Sequence, residues 1–180
     1  AVRKTWEVKG GVEIANRAFD AAVKEVCKRA CEGLGVDPKA VVAKLHKVLI
    51  YEPGDHFEKH RDAVHEPGHF ATLSLQLPSK YEGGELRVMH QGHEVVFDHS
   101  KKNFVPHFTA FYADCEHIAS AVTSGYRVVA TFNMVFTPHN TNNGDQLLVS
   151  PPALPPRAHG RLVKALKTWQ SLTVGGPRPL

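Results

Sequence analysis

Long apolar runs are missing from this sequence, and cysteine is scarce. Nowhere in the 180 residues do about 18 apolar residues follow one another, the length that a membrane-spanning helix needs, so we expect no membrane segment. The first residues, Ala-Val-Arg-Lys-Thr-Trp, do not form the apolar core of a signal peptide. The three cysteines cannot all pair, and Cys27 and Cys31 are four residues apart in a helical pattern. We therefore expect reduced thiols and an intracellular protein, cytoplasmic or nuclear.

Acidic residues are absent from residues 151–180, which contain five lysines and arginines. Since the whole chain has 22 basic and 18 acidic residues, residues 1–150 keep 17 of the basic ones and all 18 acidic ones, a net charge of −1. The basic charge thus belongs to the tail, in which Trp169 is the single aromatic residue. A nucleic-acid-binding protein usually displays a basic stripe with aromatics on its folded domain, so the charge pattern argues against a nucleic acid partner.

The composition predicts two parts, a folded domain over residues 1–150 and a tail over residues 151–180. The tail opens with Pro-Pro-Ala-Leu-Pro-Pro, which is typical of a polyproline segment. Leu162, Leu166 and Trp169 then recur at helical spacing among basic residues, which predicts a basic amphipathic helix. Such a helix docks either on its own domain or on a partner or membrane surface, and both interpretations stay open.

The domain begins with a short strand at residues 5–9, followed by helical patterns and then by strands. Apolar residues at helical spacing from Ile14 to Ala30 predict a helix that ends at Gly33 and Gly35. Asp37 and Pro38 predict the start of a second helix through about Leu45, after which residues 47–51 are extended. Further strands are predicted at residues 70–77, 85–90, 94–97, 108–112 and 127–136. This order favours a mainly β (α+β) fold, a double-stranded β-helix or jelly roll with the N-terminal helices backing one sheet.

The predicted strand at residues 70–77 alternates strictly between polar and apolar side chains. Thr72, Ser74 and Gln76 point to one side, while the intervening leucines point to the other. If the leucines pack on helices, the polar side chains point into the interior of a barrel. If they do not, the polar face is simply solvated, and this alternative also stays open.

His60 and Asp62 lie two residues apart, a spacing that places both side chains on one face of an extended strand. His117 stands near the start of another predicted strand and supplies a third ligand of the right type. Two histidines and one carboxylate are the facial triad of non-heme Fe(II) oxygenases, which leaves metal positions open. A zinc site or a purely structural cluster is the alternative.

Arg127 follows His117 by ten residues, and Tyr51 precedes His60 by nine. A guanidinium binds a carboxylate with two parallel hydrogen bonds, so an arginine near such a metal suits a co-substrate with a carboxylate. On the same strand face, Thr131 and Asn133 are expected to line the interior if Arg127 does.

Taken together, residues 44–136 resemble the 2-oxoglutarate- and Fe(II)-dependent dioxygenases, and within them the prolyl 4-hydroxylase-like branch. The resemblance rests on Tyr51, the His60 and Asp62 pair, the Tyr-Glu-Gly-Gly-Glu-Leu turn at 81–86, His117 and Arg127. It implies a hydroxylase that uses Fe(II), 2-oxoglutarate and O2, releases succinate and CO2, and uses ascorbate as reductant. His60, Asp62 and His117 would hold the metal, and Arg127, with Tyr51 and Thr131, would hold 2-oxoglutarate.

The resemblance favours a prolyl residue in a protein or peptide as substrate, with Asn133 and Gln76 on the substrate side. Many prolyl hydroxylases have an aromatic residue at the position of Asn133, so this chain departs from the pattern there. Nucleic-acid demethylases of the superfamily usually have a second arginine at that position, which argues against them. Another side chain, a small molecule, or a non-catalytic metal-binding module are the remaining alternatives. Loops 52–58, 63–69 and 99–107 are the predicted lids, and the other histidines receive no catalytic role.

Overall fold

The computed structural model describes residues 3–8, 12, 14–101 and 104–137, and these contain one α-helix and short antiparallel strands. The helix is α1 (Phe19–Leu34). The strands are β1 (Arg3–Lys4), β2 (Trp6–Val8), β3 (Val41–Tyr51), β4 (His56–His60), β5 (His69–Gln76), β6 (Tyr81–Gly83), β7 (Leu86–His90), β8 (His93–Phe97), β9 (His107–Tyr112), β10 (Glu116–Ala119), β11 (Val122–Gly125) and β12 (Arg127–Phe136). The predicted polyproline segment and basic helix of the tail lie outside the described residues.

Two five-stranded sheets form the walls of the domain. The first, which we call the major sheet, has the strand order β2-β3-β12-β5-β9, and the second, the minor sheet, has the order β1-β4-β10-β7-β8. A two-stranded ribbon of β11 and β6 accompanies them. Strands distant in sequence are neighbours in both sheets, as in a jelly roll. The predicted mainly β fold is therefore confirmed.

Helix α1 packs against the outer face of the major sheet. Its buried side chains, among them Val23 and Cys31, share one apolar core with Leu73, Leu75 and other residues of the sheet. Gly35 ends the helix with φ of 74°, a left-handed conformation that glycine adopts without steric cost. Since the leucines of β5 face the helix, the opposite, polar face of β5 points between the sheets. The prediction that this polar face points into the interior of the domain is confirmed, since Thr72 and Ser74 line the cavity there.

The helical predictions were partly wrong. α1 begins at Phe19 instead of Ile14, after a turn in which the Asn16 side chain accepts a hydrogen bond from the Ala18 amide at 3.0 Å. The second helix is a single 3-10 turn, Pro38–Ala40, although Asp37 does cap it through the Lys39 amide at 2.9 Å.

Strand pairing in the folded domain explains why the second predicted helix does not form. From residue 41 onward the chain pairs with β12 along its whole length, from Val41 opposite Phe136 to Tyr51 opposite Arg127. β-branched residues at 41 and 42 favour the strand, so the capping signal at Asp37 is overridden after one turn. β3 accordingly starts six residues earlier than the predicted extension at residue 47.

Within the described residues, no helix has the length and apolar character needed to cross a bilayer. All three cysteines, Cys27, Cys31 and Cys115, are buried and unpaired, as predicted for reduced thiols. Burial raises the pKa of the Cys31 thiol to about 12, so this group stays protonated and packs as a small apolar side chain.

Candidate active site

The three predicted metal ligands come together on the inner face of the minor sheet. β4 and β10 are neighbours with His60 opposite His117, and Asp62 follows β4 directly. Asp62 Oδ1 lies 3.8 Å from His60 Nε2 and 3.7 Å from His117 Nε2. Two neighbouring ligands of one ion, each at about 2.0–2.2 Å from it, are about 3 Å apart, so a shift of less than about 1 Å in these side chains brings them to ligand distance. The geometry is that of a mononuclear metal site.

Each imidazole presents Nε2 to this site because its other nitrogen is already engaged. His60 Nδ1 lies 2.8 Å from the Glu58 carbonyl oxygen, and His117 Nδ1 lies 3.2 Å from the Cys115 carbonyl oxygen. A carbonyl oxygen only accepts, so both Nδ1 atoms carry the proton and both Nε2 atoms keep a lone pair.

The remaining polar atoms of the cluster fit a cation as well. His60 Nε2 is buried and finds no hydrogen-bond partner among the described residues, an arrangement that costs free energy unless something binds it. The Thr72 hydroxyl donates to Asp62 Oδ2 at 2.5 Å, which orients the carboxylate and leaves Oδ1 directed at the histidines. Burial lowers the pKa of His117, outweighing the opposite effect of the Asp62 charge, so the ring is neutral and able to ligate at neutral pH.

Arg127 lies at the start of β12, on the inner face of the major sheet, and only 4% of its surface is exposed. Its Nε donates to Gln76 Oε1 at 3.1 Å, and its guanidinium carbon lies 5.2 Å from the centre of the Tyr51 ring. Gly84 permits this packing, since a Cβ there would lie 3.0 Å from Arg127 Cδ. A buried guanidinium with only part of its donors used by these contacts is suited to bind an anion.

One cavity of about 210 Å³ joins the triad and the arginine. Thr131 and Asn133 line it, as expected from the strand pattern of Arg127, and Tyr51 and the triad line it too. The Thr131 hydroxyl donates to the Lys47 carbonyl oxygen at 3.2 Å. The strand-face argument that linked these positions is therefore confirmed.

Gln76 has a different position from the predicted one. It does not line the cavity but lies buried behind Arg127, where its amide nitrogen donates to Ser79 Oγ at 3.1 Å and to the Leu77 and Val128 carbonyl oxygens at 3.0 Å each. The alternation of β5 was read correctly, but Gln76 is the last residue of the strand, and its amide is held there by Ser79 and by two backbone carbonyl oxygens. Its contact is with the arginine and not with the substrate side.

Several residues of the site were missed in the sequence. The Tyr81 hydroxyl donates to Gln76 Oε1 at 3.3 Å, so Tyr81 and Arg127 share one acceptor. Burial raises the pKa of Tyr81 while the Arg127 charge opposes this, so the phenol stays protonated and donates. Its place in the Tyr-Glu-Gly-Gly-Glu-Leu turn was a usable signal, because the glycines bring that turn against Arg127. No such signal marked Glu66.

Glu66 belongs to the loop at residues 63–68, in which Ala63 and His65 line the cavity. Its carboxylate accepts from Lys44 Nζ at 2.5 Å and from Asn133 Nδ2 at 3.4 Å. In the same loop the His65 ring stacks on His46, with centroids 4.4 Å apart. Both histidines line the cavity. The loop at residues 63–68 is thus attached to the major sheet by polar and ring contacts at its two sides.

Comparisons with known proteins agree with this site. The family model described as the 2OG-Fe(II) oxygenase superfamily matches residues 46–135, half of the chain, and the match includes all three triad residues and Arg127. No curated protein matches the sequence significantly.

Solved structures with a similar fold include three prolyl hydroxylases. One is a prolyl hydroxylase from Trichoplax adhaerens in complex with a hypoxia inducible factor oxygen degradation domain peptide, with a TM-score of 0.55 and 16% identity over 81% of this chain and 68% of that one. Another is the 2OG complex of a viral collagen prolyl hydroxylase from Paramecium Bursaria Chlorella virus-1, with a TM-score of 0.52 and 14% identity over 76% and 81%. The third is a Pseudomonas putida prolyl-4-hydroxylase, with a TM-score of 0.51 and 17% identity over 76% and 74%.

Proposed function

Because this chain belongs to the 2OG-Fe(II) oxygenase superfamily, we propose that it hydroxylates a prolyl residue in a protein or peptide. In this reaction 2-oxoglutarate and O2 are consumed, one oxygen atom enters the substrate C–H bond, and succinate and CO2 leave; ascorbate is the proposed reductant. The observation that carries the proposal is that one cavity is lined both by the three ligand side chains and by the buried Arg127.

His60, Asp62 and His117 are the proposed holders of the iron, because their free ligand atoms all lie within 4.8 Å of one another. When bound, Fe(II) supplies the activation of O2 and the site at which the keto acid end of 2-oxoglutarate chelates. The protein orients the ligands from behind through the Glu58 and Cys115 carbonyl oxygens. With only three protein ligands, the site leaves positions for co-substrate and O2.

Arg127 is the proposed partner of the distal carboxylate of 2-oxoglutarate. The side chain is buried, so the pair would form away from bulk water, where a charge-assisted bidentate contact is strongest. Gln76 accepts from Nε, so this contact does not use the two terminal nitrogens of the guanidinium. Tyr51, stacked beside the guanidinium, is proposed to donate its phenolic hydrogen bond in the same pocket, and Thr131 is proposed to line it.

The substrate is proposed to enter at the opposite end, beside Asn133 and the loop at residues 63–68. Asn133 is a buried amide in the cavity wall, and a buried amide needs hydrogen-bond partners. The peptide group beside a target proline offers such a partner, while the small ring fits the narrow interior. The three prolyl hydroxylases with similar folds support this choice through their architecture.

The test uses the purified chain with Fe(II), 2-oxoglutarate and ascorbate, and a panel of proline-containing peptides. The panel includes Pro-Pro-Ala-Leu-Pro-Pro, copied from residues 151–156 of this chain. We expect a gain of one oxygen on a peptide by mass spectrometry, stoichiometric succinate, and neither product with His60→Ala. Succinate release stimulated by free amino acids or nucleobases, but by no peptide, would refute the prolyl assignment and leave the oxygenase chemistry standing.

The free cysteines support the further proposal that the protein works in a reducing compartment, the cytoplasm or nucleus.

A further inference from the structure

A second group of metal-ligating side chains lies at the end of the minor sheet, outside the cavity. It consists of His90, Asp114 and Cys115, whose ligand atoms all lie within 4.8 Å of one another. The pairing of β10 with β7 explains the meeting: Glu116 is opposite Met89, so the next antiparallel step brings residue 115 beside residue 90. We call these three residues the sheet-end cluster.

The backbone around the sheet-end cluster is tightly constrained. Gln91 and Gly92 join β7 to β8 with φ values of 46° and 80°, a left-handed pair typical of a two-residue hairpin turn, and His90 is paired with His93 across it. On the other side, the Cys115 amide donates to the Tyr112 carbonyl oxygen at 2.9 Å, which closes the turn between β9 and β10. Two tight turns therefore fix the backbone from which the His90 and Cys115 side chains extend.

The donor set selects a class of ion. An imidazole nitrogen, a thiol sulfur and a carboxylate oxygen are the ligands of zinc and similar borderline metals, whereas magnesium and calcium prefer oxygen alone. Among the described residues, no hydrogen bond occupies the side chain of His90 or of Asp114. Zinc bonds of about 2.0–2.3 Å require the three ligand atoms to approach each other by about 1 Å, a movement that the exposed Asp114 side chain is free to make.

We propose that the sheet-end cluster binds a second divalent metal of the zinc class, with Cys115 as a thiolate ligand. The thiol proton is released to solvent when the metal–sulfur bond forms. Glu94, Glu116 and His93 line the surface cleft beside His90 and Asp114. Because the two glutamates are ion-paired with Arg87, Lys59 and Arg61, the fourth ligand is His93 or water. This site is distinct from the triad in its residues and in containing sulfur.

The sheet-end cluster also touches the active site through one peptide group. The Cys115 carbonyl oxygen accepts the hydrogen bond that orients the His117 ring, at 3.2 Å. A metal on the Cys115 sulfur therefore restrains the residue whose carbonyl fixes a triad ligand, as outer-shell partners of metal sites do. Its role is positioning and not catalysis.

Cobalt(II) tests the proposal without any activity measurement, because a thiolate–cobalt bond gives a charge-transfer absorption that the sulfur-free triad cannot give. We expect two cobalt ions per chain in the wild type, together with this absorption. The double variant His60→Ala with His117→Ala should lose one cobalt and keep the absorption. Cys115→Ser and His90→Ala should each lose the absorption and keep one cobalt, and His56→Ala, a change elsewhere on the minor sheet, should lose neither.

Absence of the thiolate absorption in the wild type would overturn the proposal. Persistence of the absorption in Cys115→Ser would also overturn it and would assign the signal to Cys27 and Cys31 in α1. If Cys115→Ser fails to fold, His90→Ala decides, since His90 is partly exposed at the hairpin turn. An unchanged absorption in that variant overturns the proposal. Because the signal is read in the triad double variant as well, its outcome is independent of the hydroxylase assignment.

Discussion

Arg127 and Asn133 lie on the same face of β12, six residues apart, yet their surroundings differ. The contacts of Arg127 are with buried groups. Its Nε and the Tyr81 hydroxyl both donate to Gln76 Oε1, and Gly84 leaves room for its aliphatic stem. Around Asn133 the contacts come from a surface loop, through Glu66 and its ion pair with Lys44, a pair that is 53% exposed on the lysine side.

The difference shows which end of the cavity is fixed by the fold and which is adjustable. Buried, mutually bonded groups hold a single geometry because any change leaves a polar atom unsatisfied. Exposed ion pairs contribute little to stability and rearrange readily. A co-substrate common to a whole superfamily suits the first end, and a substrate particular to one protein suits the second.

The largest effect is expected at the triad, which serves both ends. His60→Ala and His117→Ala should each abolish turnover and reduce Fe(II) binding below detection at the triad, while circular dichroism and the melting temperature change little. We expect little change in the fold because β4 and β10 are held by backbone pairing with their neighbouring strands, to which the two substituted side chains do not contribute. His56→Ala is the control. If metal analysis finds that both triad variants retain the iron, the assignment of the ligands is contradicted.

The second largest effect is expected at Arg127, at the buried end of the cavity. Arg127→Ala removes the proposed partner of a buried carboxylate and should weaken 2-oxoglutarate binding by about 2–5 kcal/mol. Arg127→Lys should be intermediate, because it keeps the charge and loses the planar fork. Calorimetric titration of 2-oxoglutarate measures both. Arg61→Ala, a cation at the cavity wall on the metal side, is the matched control, and equal affinity in wild type and Arg127→Ala would exclude Arg127 from the pocket.

A smaller effect is expected for Gln76, which positions Arg127 and does not itself contact the substrate. Gln76→Leu deprives Arg127 Nε and the Tyr81 hydroxyl of their common acceptor, at a cost of about 1–3 kcal/mol in unfolding free energy for the unsatisfied groups. We expect a raised KM for 2-oxoglutarate and an unchanged KM for the peptide. A raised peptide KM alone would return Gln76 to the substrate side, where the sequence had placed it.

The smallest effect is expected at the Asn133 end of the cavity, where Glu66 accepts hydrogen bonds from Lys44 and Asn133. The Lys44 amine, by hydrogen bonding, holds the pKa of Glu66 below its usual range, so the carboxylate is charged at neutral pH and Glu66→Gln removes that charge. Melting temperature and 2-oxoglutarate affinity should stay at the wild-type values, while the peptide KM changes. Glu58→Gln, an exposed carboxylate on β4, is the control. A changed 2-oxoglutarate affinity would show that the two ends of the cavity are not separate.

The same contrast explains how far the sequence alone was informative. His60 and Asp62 were identifiable because a spacing of two residues keeps both side chains on one side of an extended segment, although Asp62 lies just beyond β4. Arg127 was identifiable from its position ten residues after His117, and the polar face of β5 had a clear period. The predicted second helix was wrong because the Asp37 cap is a local signal, whereas β3 pairs with residues of β12 that are up to 95 positions away, as in Phe136 opposite Val41. The positions of the Gln76 and Glu66 side chains depend on how a strand end and a loop fold, and the periodic pattern of the sequence does not predict this.

The central claim is that the triad and Arg127 serve one ligand from opposite walls of one cavity. Its most direct test is the anaerobic addition of 2-oxoglutarate to the Fe(II)-loaded protein, followed by the visible charge-transfer absorption of an Fe(II)–keto acid chelate. We expect the absorption in the wild type, none in His60→Ala, and a saturation shifted to much higher 2-oxoglutarate in Arg127→Ala. No absorption in the wild type, or identical titration curves for wild type and Arg127→Ala, would contradict the account.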